Sequence, residues 1–225
     1  MKMVSWIWIL ALCALGCTQK DTSNSLGPKI GFVLSTLKEE RYQKDKKYFE
    51  DRAKELGAEV IFDACDNDAD QQVSKVENIL TKGIKALVIQ PVNSNAASTI
   101  VEMAHSAGVK VIAYDRIINQ SDVDYYVTQN SYDVGKIQAE AAVASTGGKG
   151  NFVILSGQAG HSVATEITRG VKDVLKQHPN IKIVTEQNHE QWSPSKAYET
   201  IQNSLTANSN NIDAILANNS GMANG

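Results

Sequence analysis

Four places in this 225-residue sequence set polar, charged or aromatic side chains directly behind short apolar runs. Asp115 and Arg116 stand together in "VIAYDRIIN". Glu40, Arg41 and Tyr42 follow "KIGFVL", Trp192 closes "NHEQW", and Asn218 and Asn219 follow "DAILA". The recurring set is carboxylate, guanidinium, amide and aromatic. One adjacent acid and base would read as a surface salt bridge contributing about 1 kcal/mol or less. Recurrence at several strand ends points to a ligand instead. The set suits a sugar: carboxylates accept from hydroxyls, Arg and Asn donate to oxygens, and an aromatic face covers the ring's C–H surface. The implied ligand is a monosaccharide.

Other chemistries find little support. A dinucleotide or phosphate loop is not evident, since "GxGxxG" is absent and "TGGKGN" lacks the required spacing and hydroxyl, so it reads as a turn. The four histidines, 105, 161, 178 and 189, are not at metal-ligand spacing. Neither an enzyme nor a cofactor is therefore expected. Cys65, in "FDACDND", reads as a packing residue at a strand end. The charge balance is mildly acidic, with no Lys/Arg cluster, which argues against nucleic acid as a partner.

The elements that must carry these groups alternate regularly. "KIGFVL" (29–34), "AEVIF" (58–62), "ALVIQP" (86–91), "KVIAY" (110–114) and "DYYVT" (124–128) read as strands, being short β-branched apolar runs. Helical spacing links Tyr42, Phe49, Ala53 and Leu56 up to Gly57. It recurs in Val73, Val76, Ile79 and Leu80 between an Asp70 cap and Gly83, and again in Ala97, Ile100, Val101 and Ala104 before Gly108. The pattern then restarts, with strands at 151–155, 181–187 and 213–218 and helices at 133–144, 163–175 and 194–205. Alternation of this kind predicts an α/β fold of two doubly wound parallel-sheet lobes, 29–127 and 128–225, with a ligand cleft between them at the carboxyl ends of the strands.

Ahead of the first strand, Lys2 precedes an apolar run from Met3 to Cys17 broken only by Ser5. It is too short to span a bilayer and reads as a signal peptide over residues 1–16. "ALGC" resembles a lipobox, although Ala14 stands where Leu is usual, so Cys17 is expected to carry a lipid and residues 17–28 to act as a tether. Removing Lys2 leaves 21 basic against 25 acidic side chains, a formal charge of −4. A DNA-binding headpiece would have pointed to a sugar-responsive regulator, but an export signal occupies its place. The expected location is the periplasmic or cell-surface side, as a membrane-anchored lipoprotein.

"ERYQKDKKYFEDRAKELGAEV", "VENILTKGIKALVIQPVN", "VIAYDRIIN", "VGKIQAEA" and "SLTANSNNIDAILANN" together resemble the pentose/hexose class of type I periplasmic binding proteins of bacterial ABC importers, in its xylose-binding branch. The resemblance runs from about Lys29 to the last residue. It implies a binding component for D-xylose or a similar sugar, with ABC permease subunits as partners. A sensing role alongside a chemoreceptor would use the same site, so the residues do not separate import from sensing.

Carried over by position, Arg41 would bind ring hydroxyls and Tyr42 would stack on one face, where the family usually has Trp. Asp115 and Arg116 would hold hydroxyls, Trp192 would form the second aromatic wall, and Asn219 would donate. Where the family has an Asn-rich loop, this chain has "SGQAGHSVATE", so His161 or Ser162 would replace an amide contact. The family pattern also continues past the position of Gly225, which implies an incomplete second lobe with weakened closure and apolar faces left uncovered.

Overall fold

The computed structural model describes residues 27–225. The expected signal peptide, the lipid site at Cys17 and nearly all of the tether lie outside the described residues.

The first lobe is a five-stranded parallel sheet in the order β2-β1-β3-β4-β5. Its strands are β1 (Lys29–Leu34), β2 (Glu59–Ala64), β3 (Ala86–Ile89), β4 (Lys110–Tyr114) and β5 (Tyr125–Val127). Helices α1 (Glu40–Glu55), α2 (Ala69–Leu80) and α3 (Ser98–Ser106) connect the first four. The apolar runs are buried because helices lie on both faces. On one side Val33, Leu87, Ile89 and Val111 pack under Val76, Ile79, Ile100 and Val101 of α2 and α3. On the other Phe32 meets Phe49 of α1, ring centroids 4.4 Å apart. On this second face α1 leaves an open cavity of about 580 Å³ walled by Ile30, Phe32, Val88, Ile112 and Tyr114.

One local expectation resolves differently. The cap of α2 is Asp68, whose carboxylate accepts from the Gln71 backbone N–H at 2.9 Å, whereas the expected Asp70 falls inside the first helical turn. The reason is the turn at Asp66 and Asn67, both at positive φ, which starts the helix two residues earlier. Cys65 is buried against the carbonyls of Leu34 and Ser35, and burial pushes its thiol up to about 12.

The chain crosses once, through Thr128, Gln129 and Asn130, into a second parallel sheet in the order β7-β6-β8. Its strands are β6 (Gly150–Ser156), β7 (Ile181–Asn188) and β8 (Ala214–Ala217), and its helices α4 (Ser131–Thr146), α5 (Ser162–Leu175), α6 (Pro194–Ala207) and α7 (Ser220–Ala223). A single 3₁₀ turn, Glu190–Trp192, joins β7 to α6. Helices α4 and α5 approach to backbone contact: a Cβ on Gly135 would lie 2.0 Å from the Ile167 carbonyl oxygen, and one on Gly170 would lie 2.1 Å from that of Tyr132. Large side chains at those positions would separate the pair. Among the described residues no helix is long and apolar enough to cross a membrane.

Candidate functional site

The carboxyl ends of both sheets face each other, which brings every strand-end group singled out above to one interlobe region. At the end of β4, Asp115 takes a left-handed backbone, φ +64, a conformation Asp tolerates better than most residues. Two bonds from the crossover hold it there: Asp115 N–H donates to the Val127 carbonyl at 2.8 Å, and Thr128 Oγ1 donates to the Asp115 carbonyl at 2.7 Å.

This turn aims the carboxylate inward, where it is 1% exposed. Arg41 Nη2 donates to Oδ1 at 2.6 Å and Gln90 Nε2 donates to Oδ2 at 2.8 Å. Burial disfavours the Arg41 charge, but the Asp115 carboxylate outweighs it and raises the guanidinium's pKa. Gln90 is itself fixed, since its Oε1 accepts from both the N–H and the hydroxyl of Ser35. Gln72 Nε2 holds the Gln90 carbonyl from α2.

Arg41 sits on the first turn of α1 with 46% of its side chain exposed, at the edge of an interlobe cleft of about 850 Å³. Trp192 and Asn219 line the same cleft from the second lobe. The Trp192 ring lies over Gly157, where an added Cβ would fall within 2.4 Å of it. Asn219 caps α7, its Oδ1 accepting from Met222 N–H at 2.8 Å, and its neighbour Asn218 binds Gly157 N–H at 2.9 Å. Lys38 Nζ reaches Gln191 Oε1 across the mouth at 3.4 Å.

Four expected site residues are placed differently. Tyr42 points into the first-lobe core beside Phe32, Leu34 and Val88, with its hydroxyl 3.4 Å from Arg116 Nη2. Arg116 turns away from the cleft and is 1% exposed; its Nη1 donates to the Pro91 carbonyl at 3.0 Å and lies 3.3 Å from His161 Nε2. Its Nε has no hydrogen-bond partner among the described residues. His161 is wholly buried between the lobes, accepting from Trp192 Nε1 at 2.9 Å. Ser162 Oγ accepts from the Ile117 N–H at 3.1 Å and so ties the lobes together. Arg116, His161 and Ser162 lie where the two sheet edges touch, and Tyr42 faces inward from α1, so each finds a protein partner rather than open space.

The described structure thus gathers Arg41, Trp192 and Asn219 around the cleft, with Asp115 directly behind Arg41, and packs Tyr42, Arg116, His161 and Ser162 into the contact beneath. Sequence reasoning missed Gln90. The signal was present in "ALVIQP", where an amide ends an otherwise apolar buried strand.

A sequence profile described as a periplasmic binding protein domain matches residues 30–225. The chain is 35% identical over 220 residues to the D-xylose-binding periplasmic protein of Escherichia coli K12, covering 96% of this chain and 66% of that protein. It is 37% identical over 208 residues to the D-xylose-binding periplasmic protein of Haemophilus influenzae, covering 91% and 62%. It therefore spans under two thirds of the length of these two relatives. Among solved structures, an ABC transporter periplasmic solute binding protein of Actinobacillus succinogenes with bound D-allose superposes with a TM-score of 0.81 at 28% identity, over 88% of this chain and 71% of that one.

Proposed function

This chain belongs to the periplasmic binding protein family, and from that premise we propose that it is the extracytoplasmic binding component of an ABC sugar importer, taking D-xylose or a similar monosaccharide between its lobes. The observation that carries the reading is the arrangement around Asp115: a buried carboxylate, a half-exposed guanidinium in front of it, and an indole and an amide facing them across the cleft. No covalent step is involved; the work is recognition.

A ring hydroxyl entering beside Arg41 takes the place of the guanidinium on Asp115 Oδ1, donating to the carboxylate while Arg41 donates to a neighbouring ring oxygen. Trp192 covers the C–H face, and Asn219 supplies an amide from the second lobe. Because the ligand touches both lobes, binding favours the closed arrangement. The relatives' names support sugar as the ligand class and D-xylose as the first candidate. The ABC permease as partner and an anchor through Cys17 on the periplasmic or cell-surface side are parts of the same proposal.

The test uses Trp192 as reporter in a full-length chain carrying Trp6→Phe and Trp8→Phe, since those are the other two tryptophans. Titration with D-xylose is expected to give a saturable fluorescence change, with weaker responses to ribose, arabinose and glucose. Asp115→Asn should weaken binding about ten- to a hundredfold, as expected for a lost charged hydrogen bond of about 1.5–3 kcal/mol. A folded chain that responds to none of these sugars would sink the reading.

A further inference from the structure

We propose that His161 is a positioning residue, fastening Trp192 of the second lobe to the Arg116 corner of the first so that the cleft wall is in place before a ligand arrives. Only the purpose of the wall rests on the sugar-binding reading; the fastening itself does not.

Position 161 is the N-cap of α5, where a short polar side chain would bond the first free N–H groups. His161 makes no such bond. Its ring instead crosses to the 3₁₀ turn and accepts the Trp192 indole proton at Nδ1, 2.9 Å away, with the two rings 28° from parallel. An Nδ1 that accepts places the ring's own proton on Nε2. On that side the ring abuts the first lobe, with Nε2 3.3 Å from Arg116 Nη1. One side chain thereby touches the indole of one lobe and the Arg116 guanidinium of the other.

The turn that carries Trp192 needs such support. Gln191 and Trp192 are consecutive non-glycine residues at φ +54 and +53, a costly conformation that persists only where surroundings enforce it. His189 secures the turn from behind, bonding the Ser156 carbonyl and the Thr200 hydroxyl. His161 secures the indole itself. A wall already in place spares the ligand the entropy of ordering it.

The first measurement needs no substitution and no sugar. A scalar coupling between ¹⁵N nuclei across the Trp192 Nε1–H to His161 Nδ1 bond is expected in the labelled full-length chain, with ¹⁵N shifts marking Nδ1 as unprotonated; its absence overturns the proposal. The second compares His161→Leu with His161→Asn in the Trp6→Phe, Trp8→Phe background. Leucine removes the acceptor and should raise acrylamide quenching of Trp192 about fivefold or more, since losing a buried partner costs about 1–3 kcal/mol. Asparagine places an oxygen where Nδ1 stood and should restore protection. Equal protection in the leucine variant, or no rescue by asparagine, overturns the proposal; if the leucine chain does not fold, the coupling decides. Sugar titration of the same variants should show affinity falling and recovering in parallel, while a wild-type chain that ignores sugars would fail the binding reading and leave these two readouts standing on their own.

Discussion

Among the described residues, Asp115 Oδ2 accepts from a single amide, that of Gln90. Replacing Gln90 with Leu keeps the volume of the site close to its present value but leaves a buried carboxylate oxygen without its donor. The expected loss is about 1–3 kcal/mol of stability, read as a lower urea midpoint, together with weaker sugar binding because the carboxylate no longer holds its angle. A stability loss with sugar affinity unchanged would mean that Gln90 supports the fold alone. Serine at position 35 holds the other end of this amide, so Ser35→Ala should give a smaller change in the same direction, since its backbone N–H still donates to Gln90.

At the scale of elements, the close pair α4 and α5 fixes where the second lobe presents His161 and Ser162, the N-terminal residues of α5 and its cap. Gly170→Ala sets two effects against each other. Alanine gains about 1 kcal/mol of helix propensity, but its Cβ would stand 2.1 Å from the Tyr132 carbonyl oxygen, so the helices must separate. The second effect is larger because backbone, not a flexible side chain, is in the way. Net destabilisation of about 2 kcal/mol is expected by urea unfolding, and a neutral result would mean the helices slide freely. Gly157→Ala acts more locally: its methyl meets the Trp192 ring, so Trp192 emission should change while global stability falls less.

For the whole molecule, the lobes meet through His161 at Arg116, Ser162 at Ile117, and the Ser94 N–H on the Gly160 carbonyl at 3.3 Å. Burial, with help from the Arg116 charge, lowers the His161 pKa from 6.5 to about 3. The closed arrangement therefore holds His161 neutral, and an open one would let it protonate near its ordinary value. Its contribution to closure is fully present above about pH 6.5 and is lost progressively as pH falls towards 3. The other ionisable groups near it do not reverse this sign. Glu39, raised by burial, takes up its proton more readily in the closed arrangement and so opposes the loss on acidification, but its shift is smaller than that of His161, while Glu166 and Glu190 are paired with Arg169 and Lys196. Small-angle scattering from pH 7 down to pH 4 should show the radius of gyration rising before secondary structure is lost. A radius constant until global unfolding would contradict this.

The alternation of apolar runs and amphipathic helices was sufficient to determine strand and helix type, the parallel sheets and the strand ends that carry Arg41, Asp115, Trp192 and Asn219, because periodicity and chain direction are local properties. Tyr42 shows the limit of that local information: next to Arg41 on the same helix turn, it packs inward while Arg41 faces the cleft. Gln90 escaped notice because a lone amide in an apolar strand becomes meaningful only beside a carboxylate 25 residues away. Which strand-end groups face open space and which face the other lobe was decided by tertiary structure alone. Arg116 and His161, 45 residues apart, meet only when the two sheets close edge to edge, and once they meet, each is buried as a contact between lobes.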